Sequence, residues 1–129
     1  MFSYWWGVLL LKLQALCCGK PVYKYDCGLF GTPRSSGWRK VAQRHIELHP
    51  TCACCGGNDD LQVHHIKPYH LYPALELEPS NLITLCMQEG RSCHLVYGHL
   101  GDWLAYNPCV VDDTEVWHRK RLMRPYDKL

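Results

Sequence analysis

An α+β domain built around one antiparallel hairpin is what this sequence of 129 residues predicts, and three observations carry that reading. Two short runs, "DDLQVHHIKP" and "NLITLC", have the alternation or β-branched content of strands. A cysteine-rich turn, "CACCGG", precedes the first run, and Cys86 and Cys93 close and follow the second. Segments of helical periodicity flank the whole. The expected order is helix, cysteine knuckle, strand, loop, strand, cysteine, helix, helix.

The first helix is expected over about residues 37 to 48. In "SSGWRKVAQRHIELHP" the apolar Trp38, Val41, Ala42, Ile46 and Leu48 recur near helical spacing, a serine stands before the start and Pro50 after the end. Gly56, Gly57 and Asn58 turn the chain into the first strand, which must end before Pro68. The loop "YHLYPALELEPS" carries two prolines and room for a short helical turn. After Cys93 the period changes: Leu95, Val96, Leu100, Trp103 and Leu104 predict a helix running to Asn107-Pro108. A last helix is expected over "DDTEVWHRKRLM", capped by Asp112 or Thr114, with basic residues toward its C-terminal end.

Ahead of these elements, "GKPVYKYDCGLFGTPRSSG" reads as linker. The domain is therefore expected over residues 38–129, with residues 1–37 an apolar leader and linker. The opening "MFSYWWGVLLLKLQALCC" lacks a basic start and a small-residue cleavage site, and Lys12 and Gln14 interrupt it. It reads as an accessory helix or strand, or a poorly ordered leader, rather than a membrane anchor, for which it is also short.

The length allows one modest domain. Fourteen Lys and Arg against 12 Asp and Glu give a net charge of +2, which argues against a uniformly basic nucleic-acid binder. Distribution matters more: Arg34, Arg39, Lys40 and Arg44 crowd one segment, and Arg119, Lys120, Arg121, Arg124 and Lys128 crowd another. Brought onto one face, they would track phosphates.

Nine cysteines, odd in number and clumped, favour metal ligation in a reducing compartment over a disulfide framework. Cys52 and Cys55 have the C-x2-C spacing, followed by glycine, at which two thiolates on a tight turn grip one tetrahedral ion. Cys86 and Cys93 complete a set of four around a structural Zn²⁺, while Cys54 points away. Four thiolates leave no open position for water, so this ion would be architectural.

That leaves His64, His65 and His94. Neighbours on a strand face opposite sides, so the paired histidines cannot both grip one ion. One can bind a second metal with His94 while the other faces the space beside it. Such an arrangement suits phosphodiester hydrolysis, with a metal on the phosphate and a neutral imidazole taking the proton from water. His99, five residues beyond His94, would sit about 140° around an α-helix from it and reads as a phosphate contact or surface residue. Tyr69 and His70 lie in the loop within reach of DNA, and His45, His49 and His118 read as helix-surface residues.

Taken together, "CACCGG", "LQVHHIKP", "NLITLC" and the Cys93-His94 pair resemble the HNH nucleases, over roughly residues 38 to 107. The resemblance implies a ββα-metal core, also termed a His-Me finger, and a metal-dependent DNA endonuclease leaving 5′-phosphate and 3′-hydroxyl ends. It implies His65 as general base, His64 and His94 as ligands of a catalytic Mg²⁺, Mn²⁺ or Ni²⁺, and Asn81 as the asparagine that pins the loop. Many relatives have a shorter second cysteine pair, and some have Asp at the position of His64; imidazole is the softer ligand, which favours Mn²⁺ or Ni²⁺. The expected partner is double-stranded DNA, with no membrane and a monomer as the starting assumption. The expected setting is the cytoplasm of a bacterium or of a phage-infected cell. A zinc-stabilised nucleic-acid-binding module without catalysis is the rival reading, and it leaves the three histidines unexplained.

Overall fold

The computed structural model describes residues 34–123. The apolar leader, most of the linker, and Arg124 and Lys128 lie outside the described residues. Within them, helix α1 (Trp38–Leu48) leads through the cysteine knuckle to strand β1 (Leu61–His65). Two 3-10 turns, Pro73–Leu75 and Pro79–Asn81, occupy the loop before β2 (Leu82–Cys86). A single π-helical turn, His94–Gly98, and helix α2 (Val110–Leu122) follow.

β1 and β2 pair antiparallel, with Leu61 opposite Cys86 and His65 opposite Leu82. That register sets the cysteines at one end of the hairpin and the histidines at the other. Leu85 is fully buried from the middle of β2. The central cluster is Cys52, Cys54, Cys55, Leu85, Cys86, Cys93 and Val110, with Tyr97, Trp117 and Ile83 packed against it. Five of these seven buried residues are cysteines, so this cluster holds few aliphatic side chains, and a metal joining the sulfurs would add to the stability of a small domain.

Three expectations give way. The helix after Cys93 is one π turn, because Leu100 (φ 55°) and Gly101 (φ 80°) enter the left-handed region, which an α-helix cannot contain. Its successor starts at Val110, before Asp112 and Thr114, and neither caps it. Asn107 organises that start instead: its Oδ1 accepts the Cys109 N–H at 2.9 Å, and its Nδ2 donates to Asp113 at 2.8 Å and to the Tyr97 carbonyl at 2.7 Å. Finally, His45 is a buried residue of α1 rather than a surface one, its ring centroid 4.6 Å from that of His49. Burial, and secondarily the neighbouring His49, lower its pKa.

Candidate metal and catalytic site

The knuckle is a tight loop before β1. The Gly56 N–H donates to the Cys52 carbonyl at 2.8 Å, and the Cys52 N–H donates to that of Gly57 at 2.7 Å. Gly56 takes φ +72° there, which favours glycine. The turn aims Cys52 and Cys55 inward, and the end of β2 and the start of the π turn supply Cys86 and Cys93. The four sulfurs lie within 4.8 Å of one another, all buried. Cys55 and Cys86 stand 3.6 Å apart, close to the roughly 3.8 Å edge of a tetrahedron with Zn–S bonds of about 2.3 Å. Cys54 is buried but outside this group. A shared hydrogen bond with Cys93, then burial, push the Cys52 thiol up to about 12. Burial first, and the sulfurs around it, raise Cys86. Four adjacent thiols resist ionising together unless a cation joins them, and the donor set fits a structural zinc. Arg91 faces Cys55 from the rim and is itself raised by that contact.

At the other end of the hairpin, strand alternation divides the two histidines. Gln62 and His64 share a face of β1, and His65 takes the other. His64 meets His94 edge-on at 5.1 Å between ring centroids and His99 at 4.9 Å. The three offer ligand nitrogens within 4.8 Å of one another. His99 is the residue that sequence reasoning set aside. The 140° offset holds for an α-helix, but the backbone here closes an i to i+5 turn, which brings residues five apart back to one side. Gly98 and Gly101, both close after His94, were the available sign that no α-helix forms.

The imidazoles are oriented by acceptors on their other nitrogens. His94 Nδ1–H donates to Gln62 Oε1 at 2.8 Å, and His99 Nδ1–H to the Ala105 carbonyl at 3.1 Å. Each is thereby left with a bare Nε2 for a metal. His64 Nε2 is buried with no hydrogen-bond partner. An orphaned imidazole nitrogen beside two others is costly in an interior and is what a metal ion would satisfy. Burial, then the neighbouring His99 and His94, hold His64 well below the ordinary histidine value. Burial and His99 lower His94 to about 4. Burial lowers His99 as well, and all three shifts favour the neutral imidazole that a ligand must be.

His65 is held separately. Its ring stacks on Trp38 of α1 at 4.5 Å, and its Nε2–H donates to the Glu76 carbonyl at 2.9 Å. Nδ1 therefore carries the lone pair, and Arg34 Nη1 donates to it at 3.4 Å. Burial, and more weakly Arg34, lower its pKa against the raising effect of the Glu76 carbonyl. Asn81 fixes this geometry from below. Its Oδ1 accepts the Lys67 N–H at 2.8 Å, and its Nδ2 donates to the carbonyls of Lys67 and Leu75 at 3.0 and 3.2 Å. It thus ties the chain just after His65 to the residue just before Glu76.

His64, His65, His94 and His99 line one cavity of about 200 Å³, with Arg34, Val63, Pro68, Tyr69 and His70. A cysteine-knuckled hairpin whose histidines meet others on the following turn defines the α+β ββα-metal class. Residues 52–99 match the family described as HNH endonuclease, and this stretch is an HNH domain. Comparison with curated proteins and with solved structures returns no match. The domain is of a nuclease type and implies a nucleic-acid substrate. Among the described residues, no helix is long and apolar enough to cross a membrane.

Proposed function

We propose that this chain is a metal-dependent endonuclease of double-stranded DNA, hydrolysing a phosphodiester bond to 5′-phosphate and 3′-hydroxyl ends. The observation that carries the reading is the division of labour at the end of β1. Three imidazoles offer ligand nitrogens on one side, and His65 turns an unprotonated Nδ1 into the same cavity from the other. A non-catalytic binding module has no use for that pairing.

His64, His94 and His99 would hold a divalent ion such as Mg²⁺, Mn²⁺ or Ni²⁺, which when bound supplies charge stabilisation for the phosphate and the leaving oxygen. His65 Nδ1 takes a proton from the attacking water, while Nε2–H stays on the Glu76 carbonyl and keeps the ring in the productive tautomer. Asn81 holds the loop that presents that carbonyl. Cys52, Cys55, Cys86 and Cys93 carry a structural zinc that fixes His94 and His99 relative to β1 without taking part in the chemistry.

Plasmid cleavage by the zinc-loaded protein and its His65→Ala form, with EDTA, Mg²⁺, Mn²⁺ and Ni²⁺ in parallel, tests the reading. Metal-dependent nicking is expected from the parent and not from the variant, with Mn²⁺ or Ni²⁺ at least as effective as Mg²⁺ because all three ligands are imidazoles. Activity with Mg²⁺ alone would refute the ligand assignment. Absence of cleavage with every metal, from folded protein that still binds DNA, would favour the zinc-stabilised binding module.

A further inference from the structure

Arg34 stands ahead of the first helix, in a run that reads as linker, yet it lines the cavity beside His65. Its carbon lies 4.8 Å from the Trp38 ring centre and 4.9 Å from that of Tyr69. Nη1 donates to His65 Nδ1 at 3.4 Å and lies 4.0 Å from Glu76 Oε1. Glu76 is buried, and its carboxylate also accepts the Ser35 N–H at 3.1 and 3.3 Å. One residue therefore orients His65 through its carbonyl and anchors the Arg34 segment through its carboxylate.

We propose that Arg34 is a substrate-binding residue of this site, whose guanidinium leaves His65 Nδ1 on DNA binding and takes a non-bridging oxygen of the scissile phosphate. The inference rests on the nuclease reading for its substrate and on the geometry for its assignment. While Nη1 donates to Nδ1, the lone pair that must accept a proton is engaged, so the contact cannot persist during attack. The attacking water must stand about 3 Å from Nδ1, and the phosphorus about 3–3.5 Å beyond that oxygen. A group now 3.4 Å from Nδ1 is thus within a small rotation of the phosphate oxygens. The lining holds one permanently charged cation, Arg34, and no carboxylate, so an entering anion draws the guanidinium outward. Stacking on Trp38 and Tyr69 limits that motion to a slide between two rings. Arginine suits the task because its fork can grip a phosphate while keeping the aromatic contacts. Arg34 thus occupies the base in the free protein and frees it when substrate arrives.

The test uses single-turnover cleavage of a DNA duplex bearing, at the scissile position, a phosphate or either phosphorothioate diastereomer, by the parent, Arg34→Ala and Arg34→Lys. Zinc content and urea midpoint check folding, which the half-exposed side chain should not govern. Arg34→Ala is expected to slow cleavage on the order of 10²-fold, the scale for losing one preorganised donor to a developing anion. Arg34→Lys should recover part of the rate. For one diastereomer the sulfur penalty should fall toward unity in Arg34→Ala, because the oxygen replaced is the one Arg34 held. Unchanged penalties for both diastereomers, or a rate within twofold of the parent, would overturn the assignment and leave the nuclease reading intact. A parallel arm measures DNA binding against salt concentration for His65→Ala with and without Arg34→Ala. Loss of one phosphate contact lowers the slope of log K against log salt by about 0.9. If the parent cleaves nothing but this slope falls, the nuclease reading fails and the phosphate contact stands; an unchanged slope overturns the contact.

Discussion

Gly98 offers the sharpest test of the histidine cluster. A Cβ added there would lie 3.0 Å from His64 Nδ1, 3.1 Å from His64 Cε1 and 3.1 Å from His94 Cδ2. Ordinary contact begins near 3.4 Å, so two rings must each retreat by a few tenths of an ångström in Gly98→Ala. Neither ring is free to do so, since His64 is buried on β1 and His94 is tied to Gln62. Metal–ligand distances tolerate only about 0.2 Å, and overpacking costs about 1–3 kcal/mol. If the metal site absorbs most of that strain, its affinity falls by about 5- to 150-fold. Titration calorimetry of the zinc-loaded protein with Mn²⁺ or Ni²⁺ reads this directly. His99→Ala should weaken binding by at least about 10-fold, as expected when a ligand rather than a supporting partner is lost. Gly90→Ala is the control, for its Cβ would meet nothing within 4 Å. Its positive φ of 78° costs about 1–2 kcal/mol of backbone strain with no effect on metal affinity. Gly98→Ala binding metal within twofold of the parent, at unchanged stability, would refute the convergence of His64 and His94.

Asn81→Ala removes an acceptor from one N–H and a donor from two carbonyls, which at about 1 kcal/mol per bond lost should cost about 2–4 kcal/mol in urea unfolding and slow cleavage by loosening Glu76; a shift under 0.5 kcal/mol would sink that account. Stripping the Cys52, Cys55, Cys86 and Cys93 site with a strong thiol-competing chelator should unfold the domain, because five of its seven central residues are cysteines and structural zinc supplies folding energy outright; retention of near-ultraviolet circular dichroism in the zinc-free protein would contradict it. The lowered pKa of buried His45 means that the unfolded chain takes up the proton more readily. Its contribution to stability is complete above about pH 6.5 and is lost as pH falls through the lower folded value. Urea midpoints measured from pH 8 to 5 should therefore fall less steeply in His45→Gln than in the parent.

Local pattern sufficed for much of this protein. Alternation and β-branched residues place both strands, the apolar spacing from Trp38 to Leu48 places α1, and C-x2-C with glycine marks the knuckle, since each depends on residues a few positions apart. The division of His64 from His65 also follows from sequence, because a strand's side chains must alternate. The features that the chain's pattern misled on or concealed rest on the backbone angles of one turn and on contacts between distant segments. The apolar spacing from Leu95 to Leu104 fits an α-helix, but the chain closes a single π turn that brings His99 beside His64 before two consecutive residues with positive φ end it. Arg34 and Glu76, 42 positions apart by numbering, meet at His65 only because the loop closed by Asn81 folds back against the segment before α1. The sequence by itself determined which donors the protein carries and which elements present them. Tertiary structure alone decided that His99 joins the metal-ligand group and that Arg34 meets His65, because those meetings depend on loop closure and on the backbone angles of a few turn residues rather than on any period in the chain.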